Sequence, residues 1–285
     1  MEKQAMDTQG PSLDNLDDLD DLIARALAAV DDEARAEHVA ALQIRGGARA
    51  YAKARALLEG ESVRERVLGA DILGQVGAPE GRPFGEETVA ALRELCAREQ
   101  DPDVLSAVVV AFGHLGDCRA APDVLRHTEN GSAGLRQSIA FALPSLIDEQ
   151  DADATGAVVE GLVALTGDTD EEVRDWATFG LAQLHVDSTQ VRDALVRRLA
   201  DENPDVAGEA LVGLARRGDA RGHETVRRRL IDADADLFVL EAASELHDSG
   251  LLPLLRALDG LGWESGEPET RLLQEVIEQY ESSLA

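Results

Sequence analysis

A frame of apolar residues spaced four, four and three apart recurs along this chain and limits its folding options more than any other feature. It reads Val104, Val108, Phe112 and Leu115, then Leu135, Ile139, Leu143 and Leu146, then Val173, Ala177, Leu181 and Leu184. A fourth copy, Val206, Ala210 and Leu214, holds Arg217 in its last place. At about 100° per residue these positions share one stripe of an α-helix. The starts lie 31, 38 and 33 residues apart, a period that belongs to two-helix units repeated along a solenoid.

Other columns of the frame carry packing rules. Seven places after each start stand Ala111, Ala142, Gly180 and Gly213. A small residue inside the apolar stripe lets a neighbouring helix come close, which explains glycine there despite its helix penalty of roughly 1 kcal/mol. Six places after each start stand Val110, Phe141, Phe179 and Val212, all apolar although far from the main stripe. The expectation is a second neighbour contact in every unit, which makes Phe179 structural. Turn signals precede the frames, as in "EQDPD" before Val104, "GDTDEE" before Val173 and "DENPD" before Val206, where Asp or Asn caps the helix and Pro suits its first turn. Breaks such as "HLGDCRA", "HVDSTQ" and "RRGDARG" follow, and then a second amphipathic segment, for example "VRDALVRRL" from Val191. Hydrophobic residues make up 44% of the chain and come mainly from Ala, Leu and Val, with 3% aromatics, a composition that favours helix throughout.

The pattern V-R-x-x-A-x-x-x-L-x-x-L followed by Gly-Asp is clearest in "VLSAVVVAFGHLGD" and "VRDWATFGLAQL". It resembles HEAT repeats, specifically the short HEAT-like class also found in phycobilin lyases. The resemblance covers roughly residues 60 to 260. "VRERVLGADILGQVG" from Val63 fits with a slip of two residues, and "DLFVLEAASELHDSG" fits with Phe238 as its start. The resemblance implies an all-α, right-handed superhelical solenoid of about six repeats. Within it we expect a disordered segment at 1–12, an acidic capping helix and degenerate first repeat at 13–60, repeats at 61–260 and a C-terminal capping helix at 261–285. The opening "LDNLDDLDDLIARAL" and the closing "PETRLLQEVIEQYESSLA" carry the two caps. Such repeats serve scaffolds, inhibitors, lyases and a few DNA glycosylases, so the fold leaves function open.

A net charge of -29 opposes nucleic acid, whose phosphates attract Lys and Arg, and suits solubility or a basic protein partner. Two cysteines, Cys96 and Cys118, give neither a disulfide framework nor a CxxC metal spacing, and no apolar run approaches a membrane span, so a cytoplasmic setting is expected. The six histidines, at 38, 114, 127, 185, 223 and 247, show no HExxH or His-Cys spacing, and no GxSxG, Walker loop or GxGxxG is present. No catalytic, cofactor-binding or metal-ligating residue is therefore assigned. The expected function is non-catalytic binding of a partner protein, as an adaptor or as an inhibitor such as a bacterial toxin-neutralising immunity protein. The alternative that the resemblance implies is a phycobilin-lyase-like enzyme acting on a bound chromophore.

Candidate contact residues follow from places that obey no packing rule. Three places after the start, the column reads Ala107, Ser138, Trp176 and Glu209, so Trp176 marks a partly exposed edge that either fills a gap against the next repeat or contacts a partner. Asp175 beside it is expected to be exposed. Arg174, like Arg136, is expected to pair with the acidic turn of a neighbouring repeat. Phe84, among the Gly and Pro of the insertion at 77–87, is expected at the surface. Arg197, Arg198 and Arg216, with Arg217 and Arg227 to Arg229, either pair with nearby acids or form a local docking patch. Trp176, Asp175, Phe84, Arg197, Arg198 and Arg216 are thus the candidate partner-binding residues, on the surface lined by second helices and the edge carrying Trp176.

Overall fold

The computed structural model describes residues 18–45, 47–78, 81–260 and 267–284, and among these every regular element is helical. The chain is an all-α repeat solenoid that divides into two compact units, Met1–Leu115 and Gly116–Ala285. The first contains α1 (Asp18–Ala28), α2 (Asp32–Arg45), α3 (Gly47–Leu57), α4 (Val63–Gln75), α5 (Gly85–Arg98) and α6 (Pro102–Leu115). The second contains α7 (Ala121–Leu125), α8 (Ala133–Ala142), α9 (Ala152–Leu165), α10 (Glu171–Gln183), α11 (Thr189–Arg198), α12 (Pro204–Arg216), α13 (Ala220–Ile231), α14 (Leu237–Leu246), α15 (Leu252–Gly260) and α16 (Glu267–Leu284). Among the described residues no helix is long and apolar enough to cross a membrane.

In the second unit the first helix of each pair packs on its counterparts, α8 on α10, α10 on α12 and α12 on α14, and α16 closes the row against α14. The frame residues Val173, Ala177, Leu181, Val206, Ala210 and Leu214 are fully buried there. Start signals work as the residue types dictate. Asp170 caps α10 by accepting from the Glu172 and Val173 amides, and Asn203 caps α12 with Pro204 in the first turn.

The small-residue column marks where helices approach. A Cβ on Gly213 would stand 2.7 Å from Ala182 Cβ, and one on Gly180 would stand 2.6 Å from Pro144 Cγ. In the first unit, a Cβ on Gly74 would lie 3.1 Å from Ala111 Cα. These contacts place Ala111, Gly180 and Gly213 at the closest passage between neighbouring helices. The column six places after the start behaves differently. Val212 is buried, but Phe179 remains 40% exposed, so the expected second contact fails at Phe179.

An arginine one place after the start ties consecutive repeats together. Arg136 holds Asp168 with two hydrogen bonds of 2.7 and 2.8 Å, and Arg174 holds Asp201 with two of 3.0 Å. In the first unit Arg66, which stands at this place after the two-residue slip, pairs with Glu99 at 2.7 Å. Each guanidinium also donates to carbonyls of its own preceding turn, as Arg174 does to Asp168 and Thr169. The acids do double duty, since Asp168 accepts from the Asp170 amide and Asp201 from the Asn203 amide. Burial pushes the Asp201 carboxyl up, but Arg174, the Asn203 amide and Arg198 outweigh it and hold it below the usual range.

Leu19, Leu22 and Ala26 of α1 are buried, as are Leu273, Val276 and Tyr280 of α16, and Tyr280 donates to the Ala243 carbonyl at 2.6 Å. The segment expected to be disordered, 1–12, lies outside the described residues, as do the first residues of the acidic helix.

Candidate partner-binding face

Trp176 lies on α10, a first helix, with its indole edge-to-face against two phenylalanines. Its ring centroid is 5.4 Å from that of Phe141 on α8 and 6.2 Å from that of Phe179, with interplanar angles of 86° and 88°. Trp176 and Phe141 are partly exposed, so the trio forms an aromatic surface supported from beneath by the α8–α10 contact. Phe179 is thus a surface aromatic that braces Trp176, which corrects its expected role as a buried contact. The edge-to-face pairs contribute roughly 0.5–1.5 kcal/mol each beyond area burial and fix the indole in place.

Beside this trio runs an acidic row. Asp175 on α10, Glu209 on α12 and Glu241 on α14 crowd one another on helices that pack side by side. Asp175 is partly buried, which corrects its expected exposure, and burial followed by repulsion from Asp205 and Glu172 pushes its carboxyl up. Glu209 is pushed up to about 7, first by burial and then by the charges of Glu241 and Asp175, with Arg216 opposing. Arg216 is the cation set among these acids. It bonds Gln183 at 2.8 Å, Glu241 at 3.0 Å and Glu245 at 3.0 Å, so it bridges three successive first helices.

The remaining candidates separate. Arg198 is held by Asp201 at 3.0 Å, and Arg229 by Asp234 and Asp236, so these two arginines are taken up within the chain. Arg197 on α11 and Arg227 and Arg228 on α13 are exposed. The arginines therefore divide: the paired ones secure turns and neighbouring helices, and the exposed ones lie on second helices. Phe84 is not free at the surface as expected, because it stacks on Tyr51 with centroids 4.5 Å apart and an interplanar angle of 16°. Among the described residues no group of His, Cys, Asp and Glu could hold a metal ion.

Residues 159–247, from α9 through α14, match the family model for HEAT repeats. The X-ray structure of YibA from Escherichia coli superposes with a TM-score of 0.68 over 92% of each chain, at 24% identity. This chain is a HEAT-like repeat protein. In sequence it is similar to Protein YibA of Escherichia coli K12, 26% identical over 244 residues that make up 83% of each chain. The structure of an engineered protein is also similar, with a TM-score of 0.54 at 18% identity over 92% of this chain and 77% of that one. The matched HEAT-like span includes Trp176, Phe179, Glu209, Arg216 and Glu241.

Glu209 gives the HEAT-like array a pH signature. Its proton is held more tightly in the folded chain than in the unfolded one, where a carboxyl titrates near 4.5. Its contribution to stability is therefore complete below that value and is lost as pH rises through about 7. Glu209→Gln removes the ionising group, so it is expected to raise stability by roughly 1–2 kcal/mol near pH 8 and to change little near pH 5, after allowance for solvent screening. Melting curves at the two pH values check this. An equal shift at both, or a loss near pH 8, would contradict the crowding described here.

Proposed function

We propose that this HEAT-like protein is a non-catalytic scaffold or inhibitor that binds a partner protein through the first-helix face around Trp176. The observation that carries the reading is the aromatic trio, partly exposed and rigidly braced, in a chain whose aromatic content is 3%. Rigid Trp side chains at the centre of a surface supply much of an interface's energy at low entropic cost. The face proposed from sequence moves accordingly, from second helices to the first-helix layer. An adaptor and an inhibitor such as a toxin-neutralising immunity protein would both use it, the inhibitor by covering a basic surface. Cys96 and Cys118 carry thiols and are not joined in a disulfide, which suits a reducing, cytoplasmic compartment. The chromophore-lyase alternative rests on the family resemblance and gains no support from a feature of this face.

Trp176→Ala is expected to weaken binding of the protein that co-purifies with the wild-type chain by about 2 kcal/mol, roughly thirtyfold. Loss of two edge-to-face contacts is expected to cost about 1–2 kcal/mol of stability with helicity intact. Binding isotherms and circular dichroism melts on the same two proteins separate the readings. A variant that melts much earlier yet keeps its partner would make Trp176 a packing residue and overturn the proposal.

A further inference from the structure

We infer that the occupant of this face is a lysine- or arginine-bearing segment of the partner, which seats its cations over Trp176 and along the carboxyls of Asp175, Glu209 and Glu241; this rests on the protein-binding reading above. Three features of the geometry select that occupant. A partly exposed indole attracts a cation through its quadrupole, and this one is braced edge-to-face by Phe141 and Phe179. Next, three packed helices crowd the carboxyls of Asp175, Glu209 and Glu241 together, a costly arrangement that a partner's cation relieves. Finally, Arg216 is hydrogen-bonded to Gln183, Glu241 and Glu245, and its charge only partly offsets the crowding at Glu209. An uncharged apolar partner would fit the trio but would bury these carboxyls further without compensation.

The inference has a consequence that an ordinary acidic surface would not show. The charged groups facing Glu209 are Asp175 from α10, Glu241 from α14, and Asp205 and Arg216 from its own helix. Burial first, and then the negative sum of these charges, keep the Glu209 proton up to near neutrality when the face is free. A bound cation reverses that balance and expels the proton. Binding is therefore coupled to proton release and tightens as pH rises through neutrality. The partner and the proton compete for the same carboxyl.

The test uses the full chain and two probe peptides, one alternating lysine with alanine and one with glutamine in place of each lysine. Titration calorimetry at about pH 6 and about pH 8, at near-physiological salt, is run in buffers of different ionisation enthalpy. The lysine peptide is expected to bind severalfold tighter at the higher pH, up to about tenfold, with proton release into the buffer. Glu209→Gln is expected to flatten this dependence, Trp176→Ala to weaken binding at both pH values, and Glu160→Gln, at an exposed place on α9, to leave both unchanged. Equal binding of the glutamine peptide, or a pH dependence that survives Glu209→Gln, would overturn the inference. So would a dimer in sedimentation that Trp176→Ala dissociates, since the occupant would then be a second copy. If neither peptide binds while the native partner still depends on Trp176, the basic occupant is wrong and the protein-binding reading stands. A native partner indifferent to Trp176 removes both.

Discussion

Gly213→Leu is expected to cost about 3 kcal/mol or more and to lower the melting temperature by roughly 6–12 °C. The new Cβ would meet Ala182 Cβ at 2.7 Å and Ala182 Cα at 3.0 Å, with Leu195 Cδ1 at 3.1 Å. Main chain cannot move aside as a side-chain tip can, so α10 and α12 must separate along their whole contact. Gly180→Leu meets a proline ring first and is expected to cost more than about 1 kcal/mol. Gly156→Ala makes the opposite prediction. It lies within α9 with nothing within 4 Å of its Cβ position, so alanine should stabilise the helix by roughly 0.5–1 kcal/mol. Thermal melts of the three variants check both signs. A Gly213→Leu protein as stable as the wild type would mean that the small-residue column does not set the helix spacing.

Arg217→Met is expected to cost about 3 kcal/mol, because it removes the donors that finish α10. The last carbonyls of a helix lack intrahelical partners, and here the Arg217 guanidinium reaches those of Leu181, Ala182 and Leu184 together with Val186 and Gly213. Burial lowers the pKa of this guanidinium and Asp187 opposes the shift, so the group stays cationic by virtue of its intrinsic basicity. Methionine keeps the apolar stem and leaves the carbonyls unpaired. Lysine keeps the charge but lacks the planar fork, so Arg217→Lys should fall between the two. Denaturant unfolding with hydrogen exchange at the end of α10 reads the effect. A loss below about 1 kcal/mol for Arg217→Met would show that water replaces the guanidinium freely.

The same residue shows where sequence reasoning stops. The frame identified Arg217 as a break in an apolar column, yet its role depends on carbonyls that only the packing of α12 on α10 brings within reach. The pairing of Arg136 and Arg174 with acidic turns was legible because the arginine and the acid both recur at the repeat spacing. The small column was legible for the same reason. Phe179 was misjudged because its column is apolar throughout, yet its ring packs on Trp176 of its own helix and stays 40% exposed. Phe84 was misjudged because its partner Tyr51 stands in no periodic relation to it. The acidic row escaped notice because Trp176 and Glu209 were compared as members of one ruleless column. Read across neighbouring helices, the same places form a surface where an aromatic stands beside acids.

On the proposed function, a partner protein seats on the first-helix face around Trp176. Site-specific photo-crosslinking tests it most directly, with a benzophenone amino acid in place of Phe179 or, as the comparison, Glu160 on α9. In cells that make the protein, the probe at position 179 is expected to give a discrete protein adduct that Trp176→Ala greatly reduces, while the probe at position 160 gives none. An adduct at position 160 alone, or one at position 179 indifferent to Trp176→Ala, would contradict it.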